Sequence, residues 1–205
     1  MAAALPLVTE PALQRLSQLT TLYIKQTSSG YHRKNGSNYI VFGEGEEVLF
    51  KLNEIVPDTF FRGGAYRPFQ FNGVDNTGKK LFTFCRPKGK ILITQKVKLF
   101  MDDDLISIIR VPFLKPDFNI NDALDNPVLR FKGQMTDLSF SFFQLQTNDK
   151  TTIGAVHKKF RGWKKELFSC KDEYIITVPV DLAVPFKIAV IVACIFLDIT
   201  LHDRK

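Results

Sequence analysis

Most of the chain after residue 37 alternates between apolar and polar side chains, the pattern of strands with one buried face. Val97 and Leu99, for example, alternate with Lys96 and Lys98. Clusters of Gly, Asn, Asp and Pro divide these stretches, as expected of turns. The pattern predicts strands at 39–42, 48–52, 69–71, 80–84, 91–101, 105–111, 117–120, 128–131, 138–146, 151–157 and 173–178.

The last part of the chain has a different pattern. Residues 188–197 form a run of ten without a polar side chain, and Asp198 follows directly. A membrane-spanning helix needs about 20 apolar residues, and a carboxylate near the bilayer centre costs roughly 2.5–3.5 kcal/mol on insertion scales. A helix that is apolar on every face is normally enclosed by protein. We therefore expect a buried core helix near 186–200, with a membrane span as the alternative.

Many short strands and one wholly apolar helix predict a mainly β fold. A closed antiparallel β-barrel around the helix satisfies both observations, because closure buries the helix and removes exposed sheet edges. Residues 1–37 are expected to be a lead-in, partly helical or flexible, in which Pro11 opens a short helix. The barrel domain is expected to span 38–205.

Composition limits the class of function. The chain carries 28 Lys and Arg against 21 Asp and Glu, which gives a net charge of +7. This charge favours anionic partners such as acidic lipids or nucleic acid. The alternative is a surface charge that only aids solubility. Three scattered cysteines indicate neither a disulfide framework nor a zinc site. The first residues lack the basic region of a signal peptide, so we expect a reducing compartment and no secretion. No catalytic motif accompanies the three histidines, so a metabolic enzyme is not expected.

One basic run is dense enough to be a binding surface. It places five cations and two aromatic rings within residues 158–165. Such a run binds an anionic membrane, pairs with nucleic acid phosphates, or is read by a nuclear import receptor. The remaining alternative is a solvated strand end. The candidate residues are Lys158, Lys159, Arg161, Trp163, Lys164 and Lys165.

Several segments together resemble the phospholipid scramblase family: 67–69 (RPF), 75–81 (DNTGKKL), 86–87 (RP), 154–168 (GAVHKKFRGWKKELF) and 172–198. That family is similar to the Tubby-like proteins, whose fold is a barrel of twelve strands around a hydrophobic C-terminal helix. The resemblance implies calcium-stimulated, ATP-independent, bidirectional movement of phospholipids between leaflets. It also implies a location at the cytoplasmic face of the plasma membrane.

Two departures from the family remove expected features: docking motifs for partner domains in the first case, and one membrane anchor in the second. The long proline-rich N-terminal region is absent, and residues 88–91 (KGKI) stand where many members carry a palmitoylated cysteine cluster. Stable anchoring usually takes two membrane signals. The alternative is therefore a soluble regulatory module that binds lipid or nucleic acid in the cytosol or nucleus, with an immune or antiviral role and no scrambling activity.

The resemblance also implies a calcium site just before the terminal helix, with Asp172, Glu173 and Asp181 as ligands. Cys170 stands where the family has its first acidic residue, and Lys171 adds a positive charge. Calcium takes six to eight oxygen ligands, so we expect weak binding. The alternative is three ordinary carboxylates, with Asp181 capping the helix. A second acidic cluster, 102–104, is expected to be a turn.

Overall fold

Twelve antiparallel strands close into a barrel in the computed structural model, which describes residues 9–28, 36–56, 68–87, 94–112, 117–134, 139–145, 151–159 and 172–202. These residues include two α-helices, α1 (Pro11–Gln18) and α2 (Val184–His202). The strands are β1 (Thr21–Ser28), β2 (Asn38–Phe42), β3 (Val48–Glu54), β4 (Phe69–Val74), β5 (Lys80–Arg86), β6 (Thr94–Met101), β7 (Asp104–Pro112), β8 (Phe118–Asp122), β9 (Pro127–Gln134), β10 (Ser139–Gln144), β11 (Gly154–Lys158) and β12 (Glu173–Thr177).

Each strand pairs with its neighbour in the chain, and β1 pairs with β12 to close the barrel. The predicted fold class, a closed antiparallel barrel with a C-terminal helix, is confirmed. Every predicted strand overlaps an observed one. The predicted turn at 102–104 is confirmed too, because Asp102 and Asp103 connect β6 to β7 with positive φ angles of 48° and 67°.

The predicted domain boundary at residue 38 requires a correction. Helix α1 begins at Pro11 as expected, but β1 lies inside the predicted lead-in and pairs with both β2 and β12. The alternation that marks this strand is interrupted by Gln26, which is buried and donates a hydrogen bond to the Tyr39 hydroxyl. A polar residue at an inward position made the strand look like a polar connection.

Helix α2 fills the barrel. Its residues from Lys187 to Ile199 are at most 4% exposed, so strands enclose the helix on all sides. This confirms the predicted core helix. In the described part of the chain, no helix is both long enough and apolar enough to span a bilayer.

Lys187 attaches the start of α2 to α1. Its buried ammonium group donates to four backbone carbonyls: Leu16 at 3.3 Å, Ser17 at 2.9 Å, Leu19 at 2.8 Å and Val180 at 3.1 Å. Three of these carbonyls lie at the C-terminal end of α1, where helix carbonyls lack intrahelical partners and a cation is favourable. Burial lowers the pKa of Lys187. The lysine therefore stabilises the junction of the two helices.

Asp198 anchors α2 eleven residues further along. Its carboxylate is fully buried and accepts hydrogen bonds from the Tyr39 hydroxyl at 2.7 Å and from the Tyr174 hydroxyl. Burial, together with the charge of Asp198, raises the pKa of both tyrosines, so they stay protonated as donors. The polar residue that ends the apolar run thus has partners on β2 and β12.

The two ends of the barrel differ. Helix α1 lies at one end, where Arg15 pairs with Glu47 at 2.9 Å and Glu10 pairs with Lys79 at 2.6 Å, in the β2–β3 and β4–β5 connections. We call this the α1 end. Strand β11 finishes and β12 starts at the opposite end, which we call the far end.

Replacing Val192 by Asp should prevent folding. Val192 is fully buried within α2, and an unpaired buried charge costs several kcal/mol, comparable to the whole stability of about 5–15 kcal/mol. The matched control is Val180→Asp, because Val180 is 57% exposed and its variant should unfold within about 0.5 kcal/mol of wild type. Soluble yield and urea unfolding measure both variants. A folded Val192→Asp protein would contradict the enclosed helix.

Candidate functional site

The described part of the basic run lies at the far end of the barrel. Lys158 is the last residue of β11 and Lys159 follows it. The Lys158 ammonium is 2.7 Å from a carboxylate oxygen of Asp172, and the Lys159 backbone N–H donates to the Glu173 carbonyl at 2.8 Å. The other predicted residues of the run, Arg161, Trp163, Lys164 and Lys165, lie outside the described residues.

Acidic side chains opposite the run reduce its local charge. Asp172 faces Lys158, while Glu173 lies between Lys25, at 3.8 Å, and Lys159, at 3.9 Å. Three cations and two carboxylates therefore meet here. Sequence analysis did not identify Lys25 as a member of this charged group, because it did not predict β1. The sequence feature that could have identified Lys25 is its outward position on β1, between the inward-facing Ile24 and Gln26.

The three carboxylates predicted to bind calcium are not brought together. Asp172 and Glu173 lie at the start of β12, whereas Asp181 follows the other end of that strand. A five-residue strand covers about 17 Å. Among the described residues, no group of three His, Cys, Asp or Glu side chains is arranged to hold a metal ion. Asp172, Glu173 and Asp181 therefore do not fit a single calcium site.

The alternative role of Asp181, capping the terminal helix, is wrong. Helix α2 begins at Val184, and the backbone N–H of Lys187 donates to the Ala183 carbonyl at 3.1 Å. Ala183 thus occupies the capping position, two residues after Asp181. The exposed Asp181 instead acts on Lys187, whose pKa its charge raises against the larger lowering effect of burial.

The cysteines in the described residues are poorly suited to nucleophilic chemistry. Cys194 is buried on α2, and Cys85 is partly buried on β5. Burial raises the pKa of both thiols, which disfavours the reactive thiolate. The third cysteine, Cys170, lies outside the described residues.

Comparison with known proteins gives consistent matches. Human phospholipid scramblase family member 5 is 27% identical, with 95% of this chain and 78% of the relative covered. Bovine phospholipid scramblase 2 is 26% identical over 94% of this chain and 72% of the relative. Mouse phospholipid scramblase 1 is 24% identical over 97% of this chain, which spans only 66% of that relative's length.

The fold also has a solved counterpart. An X-ray structure of a protein from Arabidopsis thaliana superimposes with a TM-score of 0.53, covering 91% of this chain and 96% of that one at 13% identity. This likeness supports the architecture alone. The Scramblase family model matches residues 1–204. The chain therefore belongs to the Scramblase family.

Proposed function

We propose that this protein promotes ATP-independent, bidirectional movement of phospholipids between leaflets, acting at the cytoplasmic face of the plasma membrane. The observation that carries the proposal is the Scramblase family match over residues 1–204. ATP independence is supported by a sequence without a phosphate-binding loop. The proposed activity is lipid transport, with no metabolic reaction.

The filled barrel favours an external route for the lipid. Helix α2 occupies the centre, so headgroups have no polar path through it. Withdrawing the helix would break the four hydrogen bonds of Lys187 and the tyrosine hydrogen bonds of Asp198. Hydrogen bonds to charged groups are worth about 1.5–3 kcal/mol each. We propose that the barrel stays closed and perturbs the bilayer with its outer surface.

Reconstitution tests this activity directly. The protein is added to vesicles whose fluorescent phospholipid is quenched from outside by a membrane-impermeant reductant. Without ATP, the quenched fraction should rise from about one half towards completion, because inner-leaflet lipid becomes accessible. Vesicles with the unfolded Val192→Asp chain are the control. Equal quenching with wild type and control would contradict the proposed function.

The second candidate function is a regulatory module that binds lipid or nucleic acid in the cytosol or nucleus, without scrambling, in immune or antiviral roles. The net charge of +7 and the basic run favour it. Its partners would be nucleic acid or a nuclear import receptor. Binding of single-stranded oligonucleotides to a chain that is inactive in the vesicle assay would favour this alternative.

We further propose that the basic run contacts anionic membranes. Each Lys near an anionic surface is worth about 1 kcal/mol. Replacing four lysines by Gln should therefore weaken binding to phosphatidylserine vesicles by up to about 4 kcal/mol, measured by co-sedimentation at low salt. Wild-type binding should itself fade as salt rises, because exposed charges are screened beyond about 8–10 Å. The replaced residues are Lys158, Lys159, Lys164 and Lys165.

A second quadruple variant controls for net charge. It replaces lysines on strands away from the run and should retain most of the vesicle affinity. An equal loss of vesicle affinity in both variants would show that total charge, and not the basic run, causes binding. No loss of affinity in either variant would mean that the run is a solvated strand end. The control lysines are Lys51, Lys96, Lys98 and Lys132.

For calcium we propose weak binding at most. A calcium ion at Asp172 would have to displace Lys158, and Asp181 follows the opposite end of β12. Calorimetry should give a dissociation constant no tighter than about 10⁻⁴ M. Lys158→Gln should tighten it by releasing Asp172, and Asp181→Ala should leave it unchanged. Micromolar binding abolished by Asp181→Ala would restore a shared site.

A further inference from the structure

A groove of about 490 Å³ crosses the outer face of β1, between β12 and β2. Its volume falls within the range of about 300–1,000 Å³ that is typical of small-molecule sites. The groove is formed by outward side chains, whereas Ile24 and Tyr174, which also border it, point into the barrel. We call it the β1 groove, and its principal side chains are Tyr23, Lys25, Phe42, Lys159, Glu173 and Ile175.

The middle of the β1 groove is apolar. The strand register places Tyr23 directly opposite Phe42 on β2 and opposite Ile175 on β12. Neighbouring strands are about 4.8 Å apart, so the three side chains form one continuous row across three strands. Tyr23 is 38% exposed. Solvent therefore reaches an apolar strip at a position where the outer faces of other strands are mostly polar.

The two ends of the β1 groove differ in charge. At the far end of the barrel, Lys25 and Lys159 both lie beside Glu173. Together these three side chains carry a net charge of +1. Their separations of 3.8 and 3.9 Å exceed hydrogen-bonding distance, so both ammonium groups keep donors for a further anion. The opposite end of the groove carries Glu46, which repels anions. A bound amphiphile is therefore oriented with its anionic group at the lysines.

We propose that the β1 groove binds one anionic phospholipid, with its phosphate on the solvent side of the Lys25 and Lys159 ammonium groups and an acyl chain along Tyr23, Phe42 and Ile175. This inference rests on the proposed function, for which it names the lipid contact. A soluble phosphate would use only the lysines and leave the apolar row exposed. An acyl chain covers that row, and its burial is the favourable contribution that a headgroup alone lacks.

The proposed site also meets a requirement of the closed barrel. Because α2 fills the centre, lipid contact has to be external. The β1 groove places a cationic end and an apolar strip side by side on the outer wall. A lipid held there has its headgroup on protein, while its chain stays close to the sheet and to the bilayer.

Binding can be measured without vesicles. Methyl NMR of isoleucine-labelled protein is recorded with dihexanoyl phosphatidic acid, held below its micelle concentration. The Ile175 methyl signal should shift and saturate. Glycerol 3-phosphate, which has the headgroup but no acyl chain, should bind at least about tenfold more weakly, because it buries no apolar surface. Equal affinity for dihexanoyl phosphatidic acid and glycerol 3-phosphate would mean that the groove binds only the phosphate, and would overturn the proposal.

Two substitutions test the two halves of the site. Lys25→Gln should weaken the short-chain lipid about fivefold, through the lost charge. Tyr23→Ser should weaken it about tenfold, through the lost apolar contact. The matched controls are Lys96→Gln on β6 and Leu124→Ser in the β8–β9 turn, both exposed and distant from β1. Unchanged affinity in Lys25→Gln and Tyr23→Ser would overturn the proposal.

The same variants separate failure of the groove from failure of the proposed function. Wild type that binds the short-chain lipid but moves no phospholipid in vesicles would contradict scrambling and retain the groove. Wild type that scrambles, with no shift of the Ile175 methyl signal, would contradict the groove and retain scrambling. Coupled loss of binding and transport in Lys25→Gln would support both.

Discussion

The enclosure of α2 is the constraint on which the rest of the structure depends. A helix that is apolar on every face is normally enclosed by protein, and here twelve strands surround it. Two buried charged residues of α2 contribute to this enclosure. Lys187 binds the carbonyls at the end of α1, and Asp198 accepts from tyrosines of β2 and β12. Each is buried with partners, which offsets the cost of removing its charge from water.

The same enclosure decides where function takes place. In the described residues, Phe, Ile and Val side chains pack the centre around α2, which favours recognition on the outer wall and at the barrel ends. At the far end of the barrel, the basic run begins beside Asp172 and Glu173. In this member of the Scramblase family, the proposed lipid contact therefore lies on the outer wall.

Local pattern was enough to predict most of the fold. Alternation identified the strands from β2 to β12, and the length of the apolar run distinguished a core helix from a membrane span. Strand β1 was missed because Gln26 occupies an inward position, and only the distant Tyr39 explains why a polar side chain is tolerated there. Pairings such as Lys25 with Glu173 depend on barrel closure, which brings residues from opposite parts of the chain together.

The candidate sites likewise include features that follow from the local sequence and features that depend on the folded barrel. The separation of Asp172 from Asp181 follows from the number of residues in the strand between them, because strand length is set by residue count. The β1 groove was invisible to sequence reasoning. Its aromatic and aliphatic members come from three strands, and only the register of β2, β1 and β12 places them in one row.

The position of α2 in the chain has a consequence for biosynthesis. All twelve strands leave the ribosome before the helix that forms their common core. Lys187 and the carbonyls that it binds at the end of α1 are separated by 168 to 171 positions along the chain. A nascent chain lacking α2 has inward-facing Phe, Leu and Ile side chains with nothing to pack against. The barrel therefore closes only after the helix has been made. Until then, exposed apolar side chains and unpaired strand edges favour aggregation.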